Sequence, residues 1–424
     1  MTGGFDEAVA ALTAYRRAAL APASADNRAC PVIFNDYMNC LWGNPSWEKE
    51  HPLIEAASAA GCEYYVIDAG WYAEEGQGWW DSVGLWEPST SRWGEKGLPG
   101  LLQYIRAKGM IPGLWLEIEV VGINSPLREK PDAWFLRQRG RRVIDHGRYF
   151  LDFRNPEVRA YADGVVDRLV GDYGAGYLKI DYNVDARLGT DCAADSAGAG
   201  LLAHQRAYLE WLDGVRRRYP DLVLENCGSG GGRMDYALLA RTQLQSSSDQ
   251  SDYRKYPAIV TGAMAAVLPE HQSVCTYPRT EYYPEASSFN LLHALLGRIH
   301  LSGNLATLAP ESRAQVHAGL AFYKKTIRPL LSGLTPFFPL GRPSMADTRS
   351  PVALGLRGPT KTFVAVWRLD GDEVVSLPAN LRGAALAYPC DLGIDVSQDS
   401  HGVQVRFPRK YMAAVLQLEA QPAP

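Results

Sequence analysis

Long apolar runs are missing from this chain of 424 residues; none approaches the roughly 20 consecutive residues that a membrane-spanning helix needs. The opening residues 1–26 lack a basic start followed by an apolar core, so they do not read as a secretory leader. Both absences lead to the expectation of a cytoplasmic protein without a membrane partner. Strong charge of either sign is missing as well: a net charge of -4 offers no pull toward nucleic acid. The seven cysteines, at positions 30, 40, 62, 192, 227, 275 and 390, show no paired spacing of a disulfide framework or a zinc site and read as free thiols. No metal site and no organic cofactor are implied, and His51, His146 and His271 stand alone without an assigned role. Tandem repeats and low-complexity tracts are absent apart from an alanine-rich lead at 8–25, read as a helix and tail.

What the chain has is length and a 46% apolar content, enough for a sizeable core. Strand-like runs at 32–35, 64–68, 111–117, 150–153, 177–181, 222–225, 244–247 and 273–277 alternate with helical patterns at 48–60, 101–108, 156–170, 201–218 and 236–241. Further helical patterns follow at 288–301 and 311–331. Eight strands in such alternation predict parallel βα units, hence an α/β fold of the (β/α)8 barrel type. From about residue 336 the texture changes to Pro, Gly and Phe, and short strands at 352–356, 362–368, 373–377, 402–407 and 413–418 predict a C-terminal antiparallel β-sandwich. The expected division is a lead segment 1–30, a barrel 31–335 and a β domain 336–424.

The most informative run is Tyr177-Leu178-Lys179-Ile180-Asp181, an apolar strand ending in a carboxylate. A second acid, Asp249, follows the run at 244–247, and the glycine-rich stretch 227–233 lies between them. Glycoside hydrolysis needs two carboxyl groups facing one bond, and the C-terminal ends of barrel strands supply such positions on a rigid frame. Other acids gather at the same strand ends: Asp36, Asp68, Glu117, Glu119, Asp152 and Glu225. Together they predict a polar, sugar-sized cavity.

Six blocks then carry a specific likeness: residues 34–37, 67–71, 108–119, 178–181, 227–233 and 248–249. In order and spacing they resemble family 36 glycoside hydrolases, the α-galactosidase and melibiase group, over about residues 31–335. The resemblance implies a retaining α-glycosidase with Asp181 as nucleophile and Asp249 as acid and then base. It further implies Lys179 as a lysine that contacts sugar hydroxyls and lowers the nucleophile's pKa, Asp68 and Trp115 as sugar contacts, Arg148 as another, and Cys227 with Ser229 beside the sugar 2-position. Tyr37 resembles the family's platform tryptophan, and Asp252 joins the substrate-binding candidates. The partner implied is an oligosaccharide or glycoside, and by the same likeness a homo-oligomer is consistent with the family.

Two departures bear on specificity. The family usually has two consecutive aspartates where this chain has Asp68-Ala69, so a contact near O4 or O6 is missing or comes from Asp81 or Asp36. The family's large N-terminal β-sandwich is not found ahead of the barrel pattern. An α-N-acetylgalactosaminide, α-galactosaminide or α-glucoside substrate, or transfer to another sugar, therefore stays open. Two readings from other classes stand beside it: a magnesium-dependent enolising lyase built on Lys179, Asp181, Glu225 and Asp249, and a catalytically silent sugar-binding protein. Trp79, Trp80, Trp86 and Trp93 read equally as core or as a lid.

Overall fold

The computed structural model describes residues 3–20, 24–185, 189–279 and 283–419. Its centre is a closed barrel of eight parallel strands: β1 (Ile33–Asn35), β2 (Tyr64–Ile67), β3 (Ile111–Leu116), β4 (Tyr177–Ile180), β5 (Val223–Asn226), β6 (Leu244–Ser246), β7 (Gln272–Thr276) and β8 (Arg298–Leu301). Sequential strands neighbour one another, and β8 closes on β1 through Ile33 opposite His300. The period of two along each strand divides the side chains. Phe34, Tyr65, Ile67, Leu178, Ile180 and Leu224 join the large core beneath the helices, whereas Ile33, Tyr64, Val66, Tyr177, Val223 and Leu244 form a separate apolar layer. Two residues further along the inward face, that layer gives way to Lys179 on β4 and Glu225 on β5. Gly113 in β3 allows this closeness; a Cβ there would lie 2.9 Å from Val66 Cγ2 and 3.0 Å from Tyr177 Cβ.

The strand expected at 150–153 is not part of the barrel. Arg148–Phe150 instead pairs antiparallel with Val120–Gly122 and with Ile144–Asp145, in an excursion between β3 and β4. The reason is local. His146 and Gly147 both have positive φ, 47° and 78°, and make the two-residue turn that folds this segment into a hairpin. A parallel partner would need a crossover of about a dozen residues. The strand that does complete the barrel, β8, lay inside the helical pattern expected at 288–301. The helix there is Pro284–Leu292 and ends well short of Gly297. In β8, Ile299 and Leu301 pack outward while Arg298 and His300 meet acids inside, and the buried polar pair disguised the alternation.

Below the barrel, the short helix Ala25–Ala29 closes the floor. Asn27 Nδ2 donates to the carbonyls of Gln243 at 2.7 Å and Glu270 at 3.1 Å, and Asp26 pairs with Arg298 at 2.9 Å. The alanine-rich lead folds as the helix Phe5–Tyr15, with residues 21–23 outside the described set.

The C-terminal strands form two facing antiparallel sheets. One has five strands in the order Thr335–Phe337, Val352–Arg357, Lys361–Arg368, Met412–Glu419 and Ala385–Tyr388. The other has three, Val374–Pro378, Gly402–Arg406 and Asp395–Gln398. Val364, Val366, Val375, Leu377, Val403 and Val405 fill the space between them. The opposite face of the larger sheet, through Leu354, Phe363 and Trp367, merges with the barrel's own core. Among the described residues no helix is long and apolar enough to cross a membrane.

Candidate active site

Asp36, Asp68, Glu117 and Asp181 each follow the last residue of a barrel strand, so their side chains collect at the C-terminal mouth. Asp181 is buried and fixed on both oxygens. Its Oδ2 accepts from Trp115 Nε1 at 3.1 Å, and its Oδ1 accepts from the backbone N–H groups of Tyr182 at 2.8 Å and Ser229 at 3.2 Å. Such donors fix the carboxyl group and aim it in one direction.

The Ser229 donor depends on the glycine-rich turn. Gly230 has φ +86°, and a Cβ on it would lie 2.5 Å from Ser248 Cα and 2.8 Å from Asp249 N, so only glycine lets the turn press against the segment that carries Asp249. Ser229 Oγ also donates to Asn183 Oδ1 at 2.6 Å, and Asn183 N donates to Glu117 Oε1 at 2.6 Å. Behind the turn, Arg233 Nη1 pairs with buried Glu119 at 2.6 Å while its guanidinium stacks 4.3 Å from the Tyr182 ring. Cys227, fully buried, accepts from Gly230 N at 3.3 Å through its sulfur, and burial pushes its thiol well up.

Asp249 differs from Asp181. It is exposed, yet protein crowds it enough that desolvation, with the charges of Asp181, Asp68 and Glu225 and against that of Lys179, pushes its carboxyl up to about 6. Lys179 is buried on the same strand as the fixed carboxylate and donates to Asp68 Oδ2 at 2.8 Å; Asn35 Nδ2 donates to the same oxygen at 2.6 Å. Burial works against the Lys179 charge, but Asp68 first, with Cys227, Glu225 and Asp181 behind it, holds its pKa well above the ordinary lysine range.

Tyr37 lies half-buried beside this group; burial and the charges of Asp68, Asp249 and Asp181 push its hydroxyl up to about 12. Arg148 is fully buried. It pairs with Glu117, donates from Nε to the Trp80 carbonyl at 2.9 Å and lies 3.7 Å from the Trp80 ring centroid, so it braces Glu117 and the wall. The Glu117 carboxyl sits at about 7: burial and the Asp181 charge raise it, while Arg148 and Asn183 draw it down. Asp252 is engaged elsewhere, gripped by Arg254 at 2.8 and 2.9 Å.

Across the whole of residues 1–333 the sequence matches the family model for melibiase. The chain belongs to the melibiase family. Among curated proteins it is 28% identical over 307 residues to the bifunctional α-galactosidase/sucrose kinase AgaSK of Mediterraneibacter gnavus, covering 70% of this chain and 31% of that protein. It is 30% identical over 242 residues to an α-galactosidase of Escherichia coli, covering 57% of this chain and 33% of the other. The chain thus spans about a third of the length of these curated relatives. Among solved structures, a variant of the GH36 α-galactosidase AgaA of Geobacillus stearothermophilus in complex with 1-deoxygalactonojirimycin superimposes with a TM-score of 0.81 at 19% identity, covering 99% of this chain and 59% of that one. The likeness in fold is a (β/α)8 barrel followed by antiparallel sheets.

In this melibiase-family chain the neighbourhood of Ala69 needs a correction. Of the two acids considered as a substitute for the second aspartate, Asp36 is closed off. Asp36 is buried beneath Asp68, whose N–H it receives at 2.7 Å, and Asp81 accepts from Asn124 Nδ2 at 2.7 Å. The lyase reading fails on the same kind of geometry. Glu225 lies inside the barrel, fully buried, receiving the Tyr177 hydroxyl at 2.5 Å and Ser246 Oγ at 3.1 Å, with His300 Nδ1 3.5 Å away. Burial pushes this carboxyl up, but His300, Lys179 and Tyr177 outweigh it and hold it at about 2. The histidine on β8, His300, is spent on Glu225 and on Ser273 at 2.6 Å.

Of the tryptophans, Trp86 and Trp93 are core, while Trp79 and Trp80 are half-buried at the mouth. The supporting residues Asn183, Arg233 and His300 had no assigned part in the sequence reading. Asn183 stands two residues after the strand-end aspartate and was the one within reach of that motif.

Proposed function

We propose that this protein is a retaining, exo-acting α-glycosidase that removes terminal galactose-type sugars, with Asp181 as nucleophile and Asp249 as acid and base. The observation that carries the proposal is the contrast between the two carboxyls. Asp181 is fixed in one orientation by three N–H donors, while Asp249, exposed at the mouth, is raised to about 6 and holds its proton in mildly acid solution. That division of labour is what double displacement requires.

In the first step an Asp181 oxygen bonds to the anomeric carbon as the glycosidic C–O bond breaks, and the Asp249 proton passes to the departing oxygen. In the second, Asp249 as carboxylate takes a proton from water, whose oxygen bonds to the anomeric carbon and displaces Asp181. The sugar leaves with its original configuration. Lys179, held on Asp68, keeps positive charge beside the nucleophile and presents further N–H donors to sugar hydroxyls. The relatives named above are α-galactosidases, and AgaA variants have been solved with raffinose and with stachyose, which favours α-galactosides first.

Ala69, with Asp36 buried beneath Asp68, favours a second reading in which the 4- and 6-positions are recognised differently. Turnover of aryl α-galactoside, α-N-acetylgalactosaminide and α-glucoside side by side decides between them. Asp181→Ala is expected to lower kcat on the preferred aryl glycoside by about 10⁴-fold or more. Unchanged turnover in that variant would defeat the assignment of Asp181, and a parent that turns over none of the three aryl glycosides would leave a sugar-binding protein.

A further inference from the structure

Trp42 is an exposed aromatic residue beside Tyr37, and the proposed chemistry leaves it unused. It is 49% exposed, and its backbone is left-handed at φ 53° and ψ 40°, a conformation that bulky side chains avoid. Strain on an exposed aromatic side chain gains nothing from burial, and residues kept in such conformations cluster at ligand sites. The neighbours hold it there. Gly43, at φ +77°, is pressed so closely that a Cβ would lie 2.3 Å from Trp79 Cδ1, and a Cβ on Gly70 would lie 2.1 Å from the Gly43 carbonyl oxygen. On the other side, Met38 O accepts from Gly303 N at 3.0 Å and from Ser302 Oγ at 2.5 Å, which ties the same loop to the end of β8.

Trp42 is also the outermost member of a row of rings. Trp115 donates to Asp181; its ring lies 5.6 Å from Trp79, Trp79 lies 5.9 Å from Tyr37, and Tyr37 lies 5.6 Å from Trp42. The row runs from the fixed carboxylate to solvent, from a fully buried ring through two half-buried ones to an exposed one. An exo-acting enzyme encloses one sugar among buried polar groups and lets the next emerge through the mouth. Pyranose rings offer apolar C–H faces, and aromatic faces suit them.

We propose that Trp42, with Tyr37 and Trp79, is the stacking platform for the leaving portion of the substrate, taking the second sugar ring of an oligosaccharide. The inference rests on the glycosidase reading and extends it to the acceptor side. A protein segment covering Trp42 is the competing occupant. It would leave oligosaccharide turnover indifferent to the indole.

The test compares two donors of the sugar chosen by the aryl glycoside assay; for galactose they are α-galactosyl fluoride, whose leaving group is a single atom, and raffinose. In Trp42→Ala, kcat/KM for raffinose is expected to fall about tenfold, chiefly through KM, while the fluoride changes by less than about twofold. Trp42→Phe should recover most of the loss, and thermal melting of both variants should match the parent. An equal loss on both donors, or no loss on raffinose in a parent that turns over the fluoride, overturns this inference alone. A parent that cleaves neither donor overturns the catalytic reading and this inference with it.

Discussion

Two buried ion pairs of nearly equal length stand at opposite ends of the barrel. At the floor, Arg298 on β8 meets Asp26 at 2.9 Å, with the Tyr64 hydroxyl on the other Asp26 oxygen at 3.1 Å. At the mouth, Lys179 on β4 meets Asp68 at 2.8 Å. The floor pair joins the N-terminal segment to the barrel and is sealed by it. The mouth pair is different in kind. Asp68 is the one group hydrogen-bonded to the Lys179 ammonium among the described residues, although an ammonium carries three donors, and the neighbouring Asp181 and Glu225 act on it through charge. Arg298 also leaves donors, on Nε and Nη2, without a partner among the described residues, so what separates the two pairs is what lies beside them: the helix Ala25–Ala29 at the floor and the charge of Asp181 at the mouth.

Paired substitutions test that difference, and the largest effects belong here. Lys179→Met is expected to lower kcat/KM by about 10³-fold, the scale of losing one preorganised donor to a reacting centre, while the protein stays folded. Arg298→Met should do the reverse. It leaves Asp26 without its cation and is expected to cost about 3–5 kcal/mol of stability, with kcat/KM of the folded fraction nearly unchanged. Denaturant titration beside steady-state kinetics reads both. An Arg298→Met protein that melts normally but has lost turnover would show that the two ends are coupled and would break the comparison.

The two ends were not equally legible in the sequence. At the mouth an apolar run ending in an acid announces both the strand and the position of its carboxylate, as at Tyr177 to Asp181. The floor is written in the opposite sense: Arg298 and His300 occupy inward positions of β8, so the alternation that marks a strand carried charge where a core residue was expected. The false strand at 150–153 had the right composition and a hairpin turn in front of it that settled its pairing locally. Supports of the site stayed hidden because their partners are distant along the chain, 46 positions for Ser229 and Asn183 and 114 for Arg233 and Glu119. Only folding brings such pairs together, and no local pattern encodes them.

Next in size are pH effects, which set Asp249 at the mouth against Glu225 within the barrel. Asp249 must be protonated to act as acid, so kcat/KM on an oligosaccharide should decline above about pH 6. With α-galactosyl fluoride that limb should be missing from kcat/KM of the parent itself, because fluoride departs without the Asp249 proton. Stability moves the same way. The native carboxyl keeps its proton to about 6 while the unfolded chain loses it near about 3.9, so stability falls as pH rises between those values. Asp249→Asn should therefore raise Tm at pH 7 and leave it nearly unchanged at pH 3.5. Glu225 has the opposite sign. Held at about 2, it contributes stability above the unfolded value of about 4.3, and that contribution drains away as pH falls from about 4 to 2. Glu225→Gln should flatten this stretch of the acid-unfolding curve; an unchanged slope would mean that His300 and Tyr177 do not hold the carboxylate.

The smallest effect belongs to an ion pair outside the barrel. Arg406 and Glu373 lie 3.3 Å apart in the C-terminal sheets, with side chains 58% and 61% exposed. Water already solvates both charges, salt screens their attraction, and ordering two long side chains opposes it. Arg406→Gln is expected to shift Tm by no more than about 2 °C at either low or high salt. A loss as large as that of Arg298→Met would mean that pairing itself, rather than burial of what is paired, sets the cost. The high cost expected at the floor would then need another cause than the burial of Arg298 and Asp26.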